Sequence, residues 1–142
     1  MDQYESLKLE NQLCFPLYAC AKEIVRKYTP FLDELGLTYT QYITMMVLWE
    51  KKQTTVSELG RCLYLDSGTL TPLLKKLEGK HFITRRRSEK DERSVIVHVT
   101  EEGMAMRDKA AAVPAKVGSC LQLDDEDAKA LYRICYQILQ QV

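Results

Sequence analysis

Cys14 stands in the run ENQLCFPLYA, at the start of a long helical pattern. A cysteine attacks a peroxide oxygen as its thiolate. A reactive one therefore needs helix amides, cations or phenolic hydroxyls that lower the ordinary thiol pKa of about 8.5. The plainer reading of any single cysteine is an inert buried thiol that packs as a small hydrophobe. The other four, Cys20, Cys62, Cys120 and Cys135, are too widely spaced for a local zinc cluster and leave the total odd. No metal and no cofactor are expected.

A second set of residues suits another chemistry, the reading of duplex DNA. A helix entering the major groove must offer short hydrogen-bonding side chains near its N-terminus and cations for the flanking phosphates. Ser67, Thr69 and Thr71, followed by Lys75 and Lys76, have that order. Asp66 is expected to cap the helix, and the free amides after it can face a phosphate. Further on, Arg85, Arg86, Arg87, Lys90 and Arg93 would flank the DNA backbone. Arg93 is the candidate for the minor groove, with Asp91 two residues before it to orient the guanidinium. The formal net charge of the chain is zero. Steering depends on where the charge lies. Between Lys75 and Arg93, eight basic residues (Lys75, Lys76, Lys80, Arg85, Arg86, Arg87, Lys90, Arg93) outnumber four acidic ones (Glu78, Glu89, Asp91, Glu92). A charge run alone reads as a solvated face; this one follows a helix pair and lies on a strand pair, which favours DNA.

The elements that must carry these residues are legible from periodicity. At 142 residues, with 46% apolar and 28% charged side chains, the chain fits one domain with its own core. Leu13, Leu17, Ile24, Tyr28, Phe31 and Leu35 recur at helical spacing, predicting a long amphipathic helix over 7–35. Pro16 either starts its regular part or kinks it, and Pro30 raises the same alternatives near its end. Gly36 ends it, and Thr38 or Thr40 caps a second helix through Trp49. A third, over 56–63, has Thr55 as cap with Glu58 three residues on, the reciprocal capping pattern. A fourth runs from Asp66 to about Lys80 with Leu70, Leu73, Leu74 and Leu77 in one stripe. The period then changes to alternation, and two strands, at 84–87 after Phe82 and Ile83 and at 94–100, form a hairpin. A fifth helix follows Thr100 to about Lys116 with a bend at Pro114, and a last one runs from Asp124 or Asp125 to Gln140.

Helices, then a hairpin, then more helices make a mainly α fold: a winged helix-turn-helix core with a two-stranded wing and N- and C-terminal dimerisation helices. Residues 1–142 form a single unit, with 37–100 as the DNA-binding region and 1–36 and 101–142 as dimerisation helices. The end helices carry more apolar stripe than one small core can cover, so a two-fold homodimer is expected. No stretch approaches the roughly 20 apolar residues of a membrane span, and MDQYESLKLE lacks the basic-then-apolar order of an export signal. A cytoplasmic location without membrane contact is the expectation.

With these features in hand, the chain resembles the MarR family of winged-helix transcription regulators, through DERSVIVHVTEEG. Within it the chain is similar to the organic hydroperoxide sensing (OhrR-like) branch, through LENQLCF, LTYTQY and LYLDSGTLTPLLKKLE. The resemblance covers nearly the whole chain. It implies a homodimeric repressor on a palindromic operator, near the gene for a peroxide-reducing enzyme, that leaves the DNA when a cysteine near the N-terminus is oxidised by organic hydroperoxide. The matching cysteine is Cys14, and the two tyrosines that hydrogen-bond to it fall on Tyr28 and Tyr39. Tyr28 lies about four turns beyond Cys14, so it would have to come from the other subunit. In the two-cysteine type of the family the resolving thiol belongs to the other subunit, and Cys120 is near the matching place. The one-cysteine type stops at sulfenic acid or a mixed disulfide on Cys14.

Two other functions compete. A MarR-type regulator released by a small aromatic ligand would use a pocket lined by Phe31, Tyr39, Tyr42, Met45, Met46 and Trp49. A thiol peroxidase would need a reductant path, and no CxxC pair or histidine near Cys14 is evident in the sequence, since His81 and His98 belong to the reading segment. The chain is expected not to be an enzyme.

Overall fold

The computed structural model describes residues 2–142. Met1, the first residue of the expected N-terminal extension, lies outside them. Seven helices and three strands follow in the order α1 (Cys14–Asp33), α2 (Tyr39–Lys51), β1 (Gln53–Thr55), α3 (Val56–Leu63), α4 (Ser67–Gly79), β2 (Ile83–Arg87), β3 (Val95–Val99), α5 (Glu101–Ala110), α6 (Val113–Gly118) and α7 (Asp125–Leu139). This is a winged helix-turn-helix core between terminal helices.

Local chemistry sets the helix starts. Thr38 Oγ1 accepts the amide of Gln41 while the Gln41 side chain accepts the Thr38 amide, a complete capping box. Asp66 accepts the Thr69 amide at 2.7 Å, and Asp124 the Asp127 amide at 2.7 Å. Each replaces an orphan donor's missing partner. At α3 only half of the expected reciprocal cap forms. Thr55 accepts the Glu58 amide, but the Glu58 carboxylate goes to Arg61 and Lys51 instead.

Three other expectations need correction. The regular helix begins at Cys14 rather than Leu7, because Glu5–Leu7 and Leu9–Asn11 form tight 3-10 turns whose spacing mimics helical periodicity. Pro16 falls in the first turn of α1, where its missing amide costs no hydrogen bond. The helix expected from Thr100 to Lys116 breaks at Ala111 and Ala112, and Pro114 sits in the first turn of α6, starting a new helix instead of bending an old one. The hairpin also gains a third strand. β1 pairs antiparallel with β3 (Thr54 opposite Val97), so the sheet order is β1-β3-β2, with Arg85 opposite Val97 on the other edge.

The core lies under α4. Leu70, Leu74 and Leu77 pack with Met45 and Leu48 of α2, Leu59 of α3, Ile83 of β2 and Val97 of β3, all fully buried. The Trp49 indole donates to the carbonyl of Gly103 at 2.8 Å, fixing α5 on α2. A Cβ on Gly103 would lie 2.2 Å from the Phe82 carbonyl oxygen, so only glycine permits this approach. By contrast, α7 buries none of its residues, and Leu131, Ile134 and Ile138 stay exposed, as do Leu13, Phe15 and Leu17 of the N-terminal segment. Among the described residues no helix is long and apolar enough to cross a membrane.

Candidate nucleic-acid interface and thiol site

The face presented by α4 and the wing holds the residues singled out for DNA. Ser67, Thr69, Thr71, Lys75 and Lys76 are all exposed on α4, opposite its buried leucines. Four of them divide between two grooves, and Lys75 lines neither. Ser67 and Thr71 line a cavity of about 640 Å³ with Arg61 of α3 and Arg85 and Arg93 of the wing. Thr69 and Lys76 line another, of about 250 Å³, with Thr38 and Thr40 at the start of α2. The Thr71 hydroxyl donates to the Ser67 carbonyl at 2.8 Å, which leaves its lone pairs as acceptors.

Arg86, Arg87, Lys90 and Arg93 are exposed on the wing. Arg85 is not like them. It is half-buried, its guanidinium donating to Glu78 Oε1 at 3.1 Å and its backbone amide to Glu78 Oε2 at 3.1 Å. The hydrogen bonds from Arg85 hold the Glu78 carboxyl below the usual carboxylate range. Arg85 thus braces the wing on α4, and its Nε is buried without a partner among the described residues. Asp91 also differs from expectation. Its Oδ1 accepts the Arg93 amide at 3.0 Å and its Oδ2 the Ser94 hydroxyl at 3.3 Å. Asp91 therefore shapes the turn at the wing tip, and the exposed Arg93 side chain lines the groove with Ser67 and Thr71.

The thiol site is divided along α1. Cys14 is the first residue of the helix and is exposed. Tyr28 lies fourteen residues on, about 21 Å along the axis at 1.5 Å per residue. There its ring meets Tyr39 of α2 at 5.0 Å between centroids, and Tyr42, one turn further along α2, at 5.8 Å. Burial first, and Tyr28 second, push the Tyr39 phenol above its ordinary pKa; burial, Tyr28 and Tyr39 do the same to Tyr42. Both phenols keep their protons at neutral pH and remain donors. Within one protomer the thiol and the phenols do not meet. Cys120 is an exposed free thiol in the turn after α6, its Sγ 3.4 Å from the Lys116 carbonyl.

The profile of the family described as "Transcriptional regulator SarA/Rot" matches residues 26–110, more than half of the chain. The chain is 45% identical over 139 residues, 98% of its length and 95% of the relative's, to the organic hydroperoxide resistance transcriptional regulator of Bacillus subtilis (strain 168). The chain belongs to the MarR family, close to its OhrR-like organic hydroperoxide regulators. Members of this family are transcriptional regulators, not enzymes. Among solved structures, reduced AbfR bound to DNA, from a protein of Staphylococcus epidermidis, superposes with a TM-score of 0.78 at 35% identity, covering 96% of this chain and 95% of that one. The disulfide-formed AbfR superposes at 0.66 with 33% identity, covering 95% of each chain.

The aromatic pocket considered for a MarR-type ligand is only partly assembled. Tyr42, Met46 and Trp49 line a groove of about 330 Å³ with Glu50, Arg107 and Pro114. Phe31, Tyr39 and Met45 are not part of it; Met45 is fully buried in the core. Sequence reasoning also missed Tyr42 as the third member of the tyrosine cluster, although its place three residues after Tyr39 on one helix was a usable signal.

Proposed function

We propose that this MarR-family protein represses transcription by binding a palindromic duplex operator as a homodimer, and that oxidation of Cys14 by organic hydroperoxide releases it. The observation that carries the reading is the division of the thiol site. Cys14 is exposed at one end of α1, and the Tyr28–Tyr39 pair waits about 21 Å away on the same protomer. A two-fold dimer that covers the apolar surfaces of the N-terminal segment and α7 brings the thiol of one copy to the phenols of the other. The 45% identity to a hydroperoxide resistance regulator, and the similarity to AbfR in DNA-bound and disulfide forms, support it.

In this reading the amides of the first turn of α1 and the phenols of the partner's corner stabilise the Cys14 thiolate. The thiolate attacks one oxygen of ROOH. The S–O bond forms as the O–O bond breaks, the departing alkoxide takes a proton and leaves as ROH, and sulfur loses two electrons to become a sulfenic acid. A second thiol can then displace water from that sulfur to give a disulfide, and Cys120 of the other subunit is the candidate. Ser67, Thr69, Thr71, Lys75, Lys76, Arg86, Arg87, Lys90 and Arg93 contact DNA, with Arg85 and Asp91 positioning the wing. The chain acts as one unit: residues 37–100 read DNA and the segments 1–36 and 101–142 dimerise. Its place is the cytoplasm, where the operator is.

The test is operator binding of the parent and Cys14→Ser, before and after a near-stoichiometric dose of alkyl hydroperoxide, with intact mass in parallel. The serine variant should bind DNA as the parent does and stay bound after treatment. Release that persists without the Cys14 thiol defeats the reading. The groove at Tyr42, Met46 and Trp49 supports a second reading, release by a phenolic ligand, which Cys14→Ser would leave intact.

A further inference from the structure

Lys80 follows the last turn of α4, and its ammonium serves a corner of the fold far from it in sequence. Nζ donates to the carbonyl oxygen of Gly36 and, at 3.1 Å, to Oε1 of Gln41. Gln41 is 3% exposed, and the same Oε1 accepts the Thr38 amide at 3.1 Å. Gly36 has φ +69°, the left-handed geometry that lets α1 end and the chain turn into α2. The end of α1, the first turn of α2 and the end of the reading helix α4 therefore meet on one cation.

Tyr39 sits inside this arrangement. It is the first residue of α2, between Thr38 and Gln41, with its ring against Tyr28. The first turn of α2 is closed by the Thr38–Gln41 box, so a backbone shift at Tyr39 carries Gln41 with it. Lys80 is fixed on the other side by its own amide, which donates to the Lys76 carbonyl at 3.1 Å. A displacement at the tyrosine corner either draws the end of α4 with it or breaks the bonds of the ammonium. Charge-assisted bonds are stronger than neutral ones, which favours the first outcome.

We infer that Lys80 is a positioning residue that couples the Tyr28–Tyr39 corner to the reading helix, passing movement of Tyr39 through Gln41 to the end of α4. The inference rests on the redox function proposed above and adds the route by which it reaches DNA. A phosphate-contacting Lys80 would instead act on affinity in both redox states alike, and a simple strut would change stability without changing the response.

The experiment compares the full-length parent, Lys80→Met and Lys80→Arg. Methionine keeps an apolar stem without donors, and arginine restores donors and charge. Operator Kd is measured at one salt concentration for the reduced protein and after stoichiometric tert-butyl hydroperoxide, with intact mass confirming equal oxidation of Cys14. The ratio of oxidised to reduced Kd should fall about fivefold or more in Lys80→Met and recover in Lys80→Arg. An unchanged ratio in Lys80→Met, whether or not its reduced affinity falls, overturns the coupling alone. A parent that is oxidised yet keeps its operator defeats the redox function first and the coupling with it. Amide hydrogen exchange in a Cys14→Ser background reads the clamp without oxidation. Lys80→Met should lose protection at residues 36–42 and 76–82 together, and unchanged protection at 36–42 overturns the clamp.

Discussion

Glu78 of the reading helix holds Arg85 of the wing with both carboxylate oxygens, one on the guanidinium and one on the backbone amide, each at 3.1 Å. Wing and helix are thereby joined before any DNA is present, so the basic residues beyond Arg85 start from a fixed edge. The bonds from Arg85 lower the Glu78 pKa below its ordinary 4.5. A depressed carboxylate pKa contributes stability that is complete above the unfolded value and is lost as pH falls through the folded one. Both side chains are partly exposed, so the contribution is below about 1 kcal/mol after screening. Urea midpoints measured between about pH 5 and pH 3 should therefore fall less steeply for Glu78→Gln than for the parent. Equal slopes would remove the pair from the account of wing stability.

Replacing Arg93 by alanine should weaken operator binding strongly and flatten the preference for narrow-groove sequence, since Asp91 is committed to the turn and the Arg93 side chain is exposed. Lys75→Ala and Lys76→Ala should each lower affinity more evenly across sequences and reduce the slope of log K against log salt by about 1. Fluorescence anisotropy with operator and scrambled duplexes at several salt concentrations separates the two behaviours. Operator affinity unchanged by Arg93→Ala would take that residue out of the interface.

The exposed thiols of Cys14 and Cys120 should pair between subunits if the two-cysteine chemistry operates. A non-reducing gel after hydroperoxide treatment should then show a covalent dimer that vanishes in Cys14→Ser and in Cys120→Ser. Retained release without that band assigns the chemistry to a sulfenic acid or mixed disulfide on Cys14.

Gly103→Ala should be among the more damaging single-methyl changes in the chain. The added Cβ meets the Phe82 carbonyl at 2.2 Å and the Val99 side chain at 2.8 Å, and backbone cannot yield as a flexible side chain can. The cost should reach the upper end of about 1–3 kcal/mol expected for overpacking. Thermal denaturation of the variant beside Gly118→Ala, where a Cβ meets nothing within 4 Å, provides the control.

What could be read in the sequence was what neighbouring residues decide. Asp66, Thr38 and Thr55 cap their helices through residues three positions on, and the stripe from Leu70 to Leu77 reports one buried face. The three residues of β1 were too few to show alternation, and they became a strand only because β3 offered them an edge. Glu58 follows the capping pattern, yet two nearby cations compete for its carboxylate. Arg85 looks like its neighbours Arg86 and Arg87, and only the packing of β2 on α4 separates them. The Lys80 contact joins residues 44 apart in the chain and has no local signature. Cys14 and Tyr28 stand about 21 Å apart along one helix, so the meeting proposed for the thiol and the phenols needs a second copy, which no periodicity reports.

A helix that buries nothing of its own has a consequence for how the protein persists in a cell. The apolar residues of α7 are uncovered in the single chain, so where a second copy shelters them mass action ties their protection to abundance. As copies become scarce the separated chains expose Leu131, Ile134 and Ile138, and proteases gain a substrate that the paired form withholds. A falling pool of repressor is then expected to clear faster than dilution by growth alone would remove it.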